Sequence, residues 1–409
     1  MARVAKSKEK HIKLRFIIFL LLVAILASTY FFSAKIEDFV NFYYNKNALS
    51  TNIDESGLKI HFINVEQADA ILLEFPTGEK MMIDSGDTSS SSQNLLKEYL
   101  EKIDFKVDGG EKVLDYFVLT HPDADHMGGA VTLFENYKIK NFIRPGVKYF
   151  KNGDENSEEV FENDFTTDDE RYKLILNALS NEVISSGCMC ITSTAGLKIK
   201  SSSFVEENLN VNSSTWKITF LSPIADCLPY KNKNNYSPVM ILEYMNKKIM
   251  FTGDAEKEVE NDIVENTVDK SFIDVDILKA GHHGSKGSST AKFLSYVKPE
   301  YVVISVGKNS YSHPNPETIE RYKDIGLTDN DIYTTQENGN ILVGVSTSGE
   351  LCLLSDYVQY TTFKIQWWYM FSAGVLICTI VIFFPLLTKK EKIKIEKEIK
   401  SSSKKSIKR

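Results

Sequence analysis

At 409 residues, with 43% hydrophobic and 25% charged side chains, the chain has an ordinary globular composition and room for one large domain or two small ones. The net charge of −7 hides a segregation. Residues 1–15 carry six Lys/Arg and one Glu, residues 389–409 carry ten Lys/Arg and three Glu, and the stretch between them has 32 basic and 51 acidic residues, a net −19. A body that acidic argues against loose binding of polynucleotides over a broad face, which calls for a basic surface.

In chain order, residues 1–15 read as a cytoplasmic basic tail, followed by the apolar run "FIIFLLLVAILASTYFF" from Phe16 to Phe32. It approaches the ~20 residues that cross a bilayer, so a transmembrane helix is expected over 16–34. A cleaved signal peptide is the alternative. The apolar core is longer than such peptides use and "FFSAK" is a poor cleavage site, which favours a retained anchor. From Leu58 the pattern turns to short strands: "LKIHFINV", "AILLEF" and "KMMID", broken by "EQAD" and "PTGE". "NLLKEYLEKI" reads as an amphipathic helix and "LDYFVLT" as a buried strand. The acidic stretch from Lys151 to Glu170 reads as an excursion over the body, or as a solvated loop, and "ERYKLILNALSNE" as a helix.

Beyond it, "TWKITFLSP" is a strand, and "PVMILEYM" with "KKIMFTGD" is a hairpin turning at "NK". "AEKEVENDIVENT" is a helix, "DVDILKAG" a strand, "TAKFLSYV" a helix, "EYVVISVG" a strand and "NPETIERYKDIG" a helix. "ILVGVST" and "ELCLLS" complete a domain placed at 55–358. A second apolar run, "WWYMFSAGVLICTIVIFFPLL", predicts a transmembrane helix over 366–388, with Trp367, Trp368 and Tyr369 suited to the interface. The basic tail 389–409 follows. The positive-inside rule places both termini in the cytoplasm and the domain outside a plasma membrane, with two spans that could also lie in contact and pair protomers as a homo-oligomer. Cys188 and Cys190 form C-x-C, with Cys227 and Cys352 elsewhere; these are read as structural, with no pairing assigned.

Chemistry concentrates in the histidines, of which there are seven. "LTHPDADHMGG" places His121, Asp123, Asp125 and His126 on one sharp loop after a buried strand, where ligand sites collect in layered α/β folds. Imidazole nitrogen and carboxylate oxygen together suit divalent zinc or manganese. An Asp-rich turn satisfied by local hydrogen bonds is the bland reading, and two histidines with two aspartates before Gly128-Gly129 argue against it. The glycines are expected to let backbone approach a ligand closely. His282, His283 and His313 follow later strand ends, as does Asp254.

These residues carry a resemblance. "THPDADHMGG" resembles the H-x-H-x-D-H signature of the metallo-β-lactamase superfamily. "FTGDAEKEVE", "LKAGHHGSKGSS" and "ISVGKNSYSHPNPE" resemble, in order, later motifs of the branch that includes the metallohydrolase domain of ComEC-type competence proteins. The likeness covers about residues 58–355 and implies an α/β fold, an αββα sandwich, here flanked by two transmembrane helices. By position it implies that His121 and Asp123 hold one metal ion, Asp125 and His126 a second, and Asp254 bridges both. His282, His283 and His313 share the remaining roles, as ligand or as proton donor, with Asp125 and His283 the catalytic candidates. The sequence departs from the family in three places. Asp123 stands at the signature's usual second histidine, as in that branch, and Asn235 and Ser237 of "NKNNYSP" occupy the region of the missing middle histidine. Asn64, Glu66 and Ala68 stand where the branch usually has Asp, Gly and Gly.

The expectation is a membrane-anchored hydrolase using two divalent metal ions, zinc or manganese. The resemblance points to a phosphodiester substrate, a nucleic acid or a cell-envelope polymer. Asn235, Ser237, Ser285 and Lys286 are its candidate contacts, and a helix cap with a polar loop is the plainer reading of "SKGSST". A non-catalytic sensor or scaffold of the same fold is the alternative.

Overall fold

The structure is a computed structural model and describes residues 16–28, 54, 56–160, 164–201, 215–356 and 374–375. The chain divides into two compact units, residues 1–50 with 360–409, and Thr51–Gln359. In the first, residues 16–28 are helical. The remainder of that apolar run lies outside the described residues, and so does the second run apart from Gly374 and Val375. Among the described residues no helix is long and apolar enough to cross a membrane, so the two expected spans are not found there.

The second unit is a four-layer sandwich of helix, sheet, sheet and helix. One sheet has nine strands, β1 (Leu58–Phe62), β2 (Ile71–Glu74), β3 (Lys80–Ile83), β4 (Val107–Asp108), β5 (Glu111–Val118), β6 (Tyr137–Arg144), β9 (Met189–Thr192), β17 (Ile341–Val345) and β18 (Leu351–Ser355). Their order is β18-β17-β1-β2-β3-β5-β6-β9, with β4 beside β5. The other has seven strands in sequential order: β10 (Lys198–Lys200), β11 (Trp216–Phe220), β12 (Met240–Tyr244), β13 (Lys247–Phe251), β14 (Ile277–Lys279), β15 (Tyr301–Ile304) and β16 (Ile332–Thr334). A small pair, β7 (Val147–Tyr149) with β8 (Phe165–Thr167), sits apart.

The period of two in each strand sorts side chains between layers. In β2, Ile71 and Leu73 enter the core between the sheets, while Leu72 turns to the outer face. In β13, Ile249 and Phe251 face inward and Met250 outward. Both faces are apolar because helices cover the far side of each sheet. On the first, α1 (Ser90–Leu100), α3 (Ala130–Asn136) and α4 (Glu170–Ser186) deliver Leu96, Leu133 and Ile175. On the second, α5 (Lys257–Asn266), α6 (Ala291–Val297) and α7 (Pro316–Asp324) deliver Ile263, Leu294 and Tyr322. Between the sheets Phe75 stacks on Trp216 at 3.8 Å, and the indole N–H donates to Thr77 Oγ1 at 2.7 Å.

The sequence-derived elements recur with small shifts. The β12–β13 turn falls on Met245-Asn246, one residue before the expected "NK", with φ of 47° and 64°, the paired left-handed conformation that a two-residue hairpin requires. α7 opens as expected, with Asn315 as cap and Pro316 in the first turn. In the acidic excursion, several carboxylates are paired: Asp154 with Lys173 at 2.6 Å and Glu158 with Arg144 at 2.8 Å.

Candidate metal centre

The site forms where C-terminal strand ends of both sheets meet. β5 ends in Thr120-His121, and the loop then makes one helical turn, α2 (Ala124–Met127), that brings His126 back beneath His121 with ring centroids 4.1 Å apart. Gly128 and Gly129 permit this return, although backbone rather than a ligand makes the close approach. A Cβ on Gly128 would lie 2.1 Å from the Asp87 carbonyl carbon, and one on Gly129 2.6 Å from the Ser85 carbonyl oxygen. From the second sheet, β13 ends in Asp254, β14 in His282 and His283, and β15 leads to the loop bearing His313. His282 and His283 both adopt left-handed backbone, φ 49° and 51°. This conformation costs about 1–2 kcal/mol for each side-chain-bearing residue.

Four of these histidines, His121, His126, His282 and His283, are oriented through Nδ1, whereas His313 Nδ1 is buried without a hydrogen-bond partner. The Thr120 hydroxyl donates to Asp84 Oδ2 at 2.8 Å, so toward His121 Nδ1, 3.1 Å away, its oxygen only accepts. His126 Nδ1 donates to Asp84 Oδ2 at 2.8 Å, His283 Nδ1 to the Ser305 carbonyl at 2.8 Å, and His282 Nδ1 to Glu256 at 2.9 Å. With Nδ1 protonated, each ring turns Nε2 toward Asp254: 3.9 Å for His121, 3.3 Å for His126, 3.5 Å for His282 and 3.7 Å for His283. Asp125 comes within 3.3 Å of His283 Nε2 and Asp123 within 3.5 Å of His121 Nε2.

A metal ion fits this donor set. Nε2 of His121, His126 and His283, together with Asp254 Oδ1, is buried with no hydrogen-bond partner, and a buried polar atom left so is costly. Ligand atoms of His121, His126 and Asp254 lie within 4.8 Å of one another, and so do those of Asp125, His126 and His283. Burial opposes charge on Asp254 and His126, yet their mutual attraction prevails. His126, His283 and His282 hold the Asp254 carboxyl well below its ordinary range, and Asp254 with Asp84 raises His126 well above its own. Burial likewise opposes charge on Asp125, which His283 and His126 nonetheless lower.

The remaining expected residues stand around this centre. The His313 ring centroid is 5.4 Å from that of His282, and burial together with the neighbouring His282 and His283 lowers its pKa. Asn235 is buried behind the site, donating to Glu258 at 2.9 Å and accepting from the Glu256 N–H. Ser237 Oγ accepts from the Asp254 N–H at 3.1 Å. Ser285 receives its loop's Gly287 N–H, and Lys286 is exposed and paired with Glu317 at 2.7 Å. Sequence reasoning missed Asp69, Asp84 and Lys279, all buried at the site, and Lys233, whose ammonium pairs with Asp123 at the rim. The signal for the first three was a charged residue within or just after an apolar strand pattern, "EQADAILL", "KMMID" and "DILKAG", whereas Lys233 lies in the polar "NKNNYSP".

Residues 63–181 match the Metallo-beta-lactamase superfamily model. The chain is 28% identical over 293 residues to ComE operon protein 3 of Bacillus subtilis, a match covering 69% of this chain and 32% of that protein. It is 26% identical over 210 residues to Recombination protein 2 of Haemophilus influenzae, covering 51% of this chain and 20% of that protein. With Competence protein ComA of Neisseria gonorrhoeae it shares 32% identity over 102 residues, 25% of this chain and 14% of that one. The chain thus spans about a third or less of these relatives. Among solved structures, Igni18, a metallo hydrolase of Ignicoccus hospitalis, superposes with a TM-score of 0.39 at 14% identity, over 73% of this chain and 99% of that one. The Zn(2+)-bound PqqB of Methylobacterium extorquens gives 0.37 at 10% identity, over 67% and 87%.

Proposed function

For this chain, which carries a metallo-β-lactamase superfamily domain related to ComEC-type competence proteins, we propose a metal-dependent hydrolase of phosphodiesters, anchored in a membrane. The observation that carries the reading is the convergence of three buried, partnerless imidazole nitrogens on one carboxylate, each ring already fixed through its Nδ1. His121, Asp123 and Asp254 would hold one divalent ion, and Asp125, His126 and His283 a second, with Asp254 reaching both. Bound there, such ions lower the pKa of water and stabilise negative charge as it develops. The chain's own residues do the rest. Asp84 orients His126, Ser305 orients His283, and Asp125, about one-third exposed, faces the opening where it can orient the attacking water. The oxygen-rich set suits manganese as well as zinc.

Lys233 at the rim supports a substrate carrying negative charge, since its side chain is 42% exposed beside Asp123. The acidic body favours a cell-envelope phosphodiester over a long polynucleotide. The anchor rests on the two apolar runs. Its support is the helix at 16–28 and the close approach of Gly374 to Leu26, where an added Cβ would meet Leu26 Cδ2 at 3.0 Å, the small-residue contact by which membrane helices pack.

Elemental analysis of the full chain in detergent, with a bis(p-nitrophenyl) phosphate assay in added Mn²⁺ or Zn²⁺, tests the proposal. About two ions per chain, with turnover lost in His126→Ala, is the expected result. Bound metal without turnover on any phosphodiester would favour the sensor or scaffold reading.

A further inference from the structure

Lys279 is the one fully buried lysine among the described residues, its side chain 1% exposed between the apolar neighbours Leu278 and Ala280. An unpaired ammonium there would cost several kcal/mol. Its Nζ lies 2.5 Å from Asp69 Oδ2 and 3.4 Å from the Gly253 carbonyl, next to Asp254. Asp69 is equally buried and wedged between both ligand-bearing halves of the site. Its N–H donates to the Asp125 carbonyl at 3.0 Å, and its own carbonyl accepts from the Gly86 N–H at 2.8 Å. Its Oδ1 has no hydrogen-bond partner and stands 3.6 Å from His283 Nδ1, whose proton goes to Ser305.

Asp69 is therefore placed where it could compete for metal. Its carboxylate groups within 4.8 Å with ligand atoms of Asp254 and His283, and separately with those of Asp84 and His126. Two of the four potential clusters in the site include it, and both draw on residues assigned above to the two ions or to their support. In the first cluster the Lys279 ammonium, held in place by the strand it sits on, distinguishes Asp69 from a further ligand, and in the second the His126 Nδ1 proton, given to Asp84, does so as well.

We infer that Lys279 is a positioning residue that serves as a built-in cation. It claims the Asp69 carboxylate and thereby confines divalent ions to the outer pair of clusters, setting the number of ions the site takes. The inference rests on the metal-centre reading but not on any substrate.

The test is metal stoichiometry in three full-length proteins after saturation with Mn²⁺ and desalting: wild type, Lys279→Met, and the double variant Asp69→Asn/Lys279→Met. Wild type should hold two ions, K279M should hold an additional ion, and the double variant should return to two with wild-type affinity. A merely structural lysine would not produce that rescue. If K279M fails to fold, Lys279→Gln, polar but uncharged, takes its place: an additional ion supports the inference, and wild-type stoichiometry, or failure of this variant to fold as well, overturns it. A folded K279M with wild-type stoichiometry and affinity also overturns it. A wild type that binds no metal fails the metal-centre reading itself, a result distinct from either of these.

Discussion

The nine-stranded sheet supplies His121, Asp123, Asp125 and His126 from one loop after β5, whereas the seven-stranded sheet supplies Asp254, His282, His283 and His313 from the ends of three successive strands. The first set is close in sequence, and its return to the site relies on glycines that let the loop pack on residues 85–88. The second is dispersed, and neighbouring parallel strands bring it together: β13, β14 and β15 stand side by side, so their C-terminal ends share one edge. A compact loop can be recognised from spacing alone. A sheet edge becomes a site only when strand order is known.

The comparison can be broken or sharpened by substitution. Removing the group both halves share should have the largest effect: Asp254→Ala should lower turnover roughly 10³-fold and reduce the bound metal seen by elemental analysis. Trp216→Ala, in the core between the sheets, should cost about 3–5 kcal/mol in denaturant unfolding, with the metal count unchanged in the protein that remains folded. Asp84→Asn acts on the first half alone, through His126, and should weaken metal binding roughly 10–100-fold in competition with a chelator.

Glu260 acts on the second half, behind the His282-His283 loop. Burial raises its carboxyl to about 7, against the lowering effect of the Ser289 and Thr290 N–H groups and Arg321. Folding therefore favours its protonated form. That contribution is complete below the ordinary 4.5 and lost as pH rises through about 7. Glu260→Gln should flatten this part of the stability–pH curve, read as Tm between pH 4 and pH 8, and a curve parallel to wild type would remove Glu260 as its source. Lys286→Ala should be the mildest, shifting stability by less than about 0.5 kcal/mol because the Lys286–Glu317 pair is exposed. An accompanying rise in KM would assign the lysine to substrate.

Much of the layered fold was legible because apolar strands alternate with amphipathic helices whose caps are explicit, as at Asn315-Pro316. The histidine loop was legible for the same local reason. Asp69 and Asp84 were not, because a single aspartate beside a strand has the same appearance whether it caps a turn or orients an imidazole across the sheet. Lys279 was hidden for a related reason: its partner lies 210 positions away in sequence, and only the meeting of the two sheets pairs them. The environment of Lys286 was equally hidden, since Lys286 lies in a turn and Glu317 arrives on α7.

The placement of β1, β17 and β18 has a mechanical consequence. β1 runs antiparallel to β17 with Leu58 opposite Val345, and β17 runs antiparallel to β18 with Ile341 opposite Ser355. β1 and β18 therefore point the same way, and the chain enters at one end of this three-stranded ribbon and leaves at the other. Tension applied through the two linkers would load the ladder in shear, stretching its hydrogen bonds together rather than peeling them singly. The exit end is also stitched toward the candidate metal centre, since Asp356 accepts from Asn340, whose side chain in turn accepts from the Asn64 N–H. A pull on the exit strand is thus transmitted to the loop that begins at Asn64 and carries Asp69.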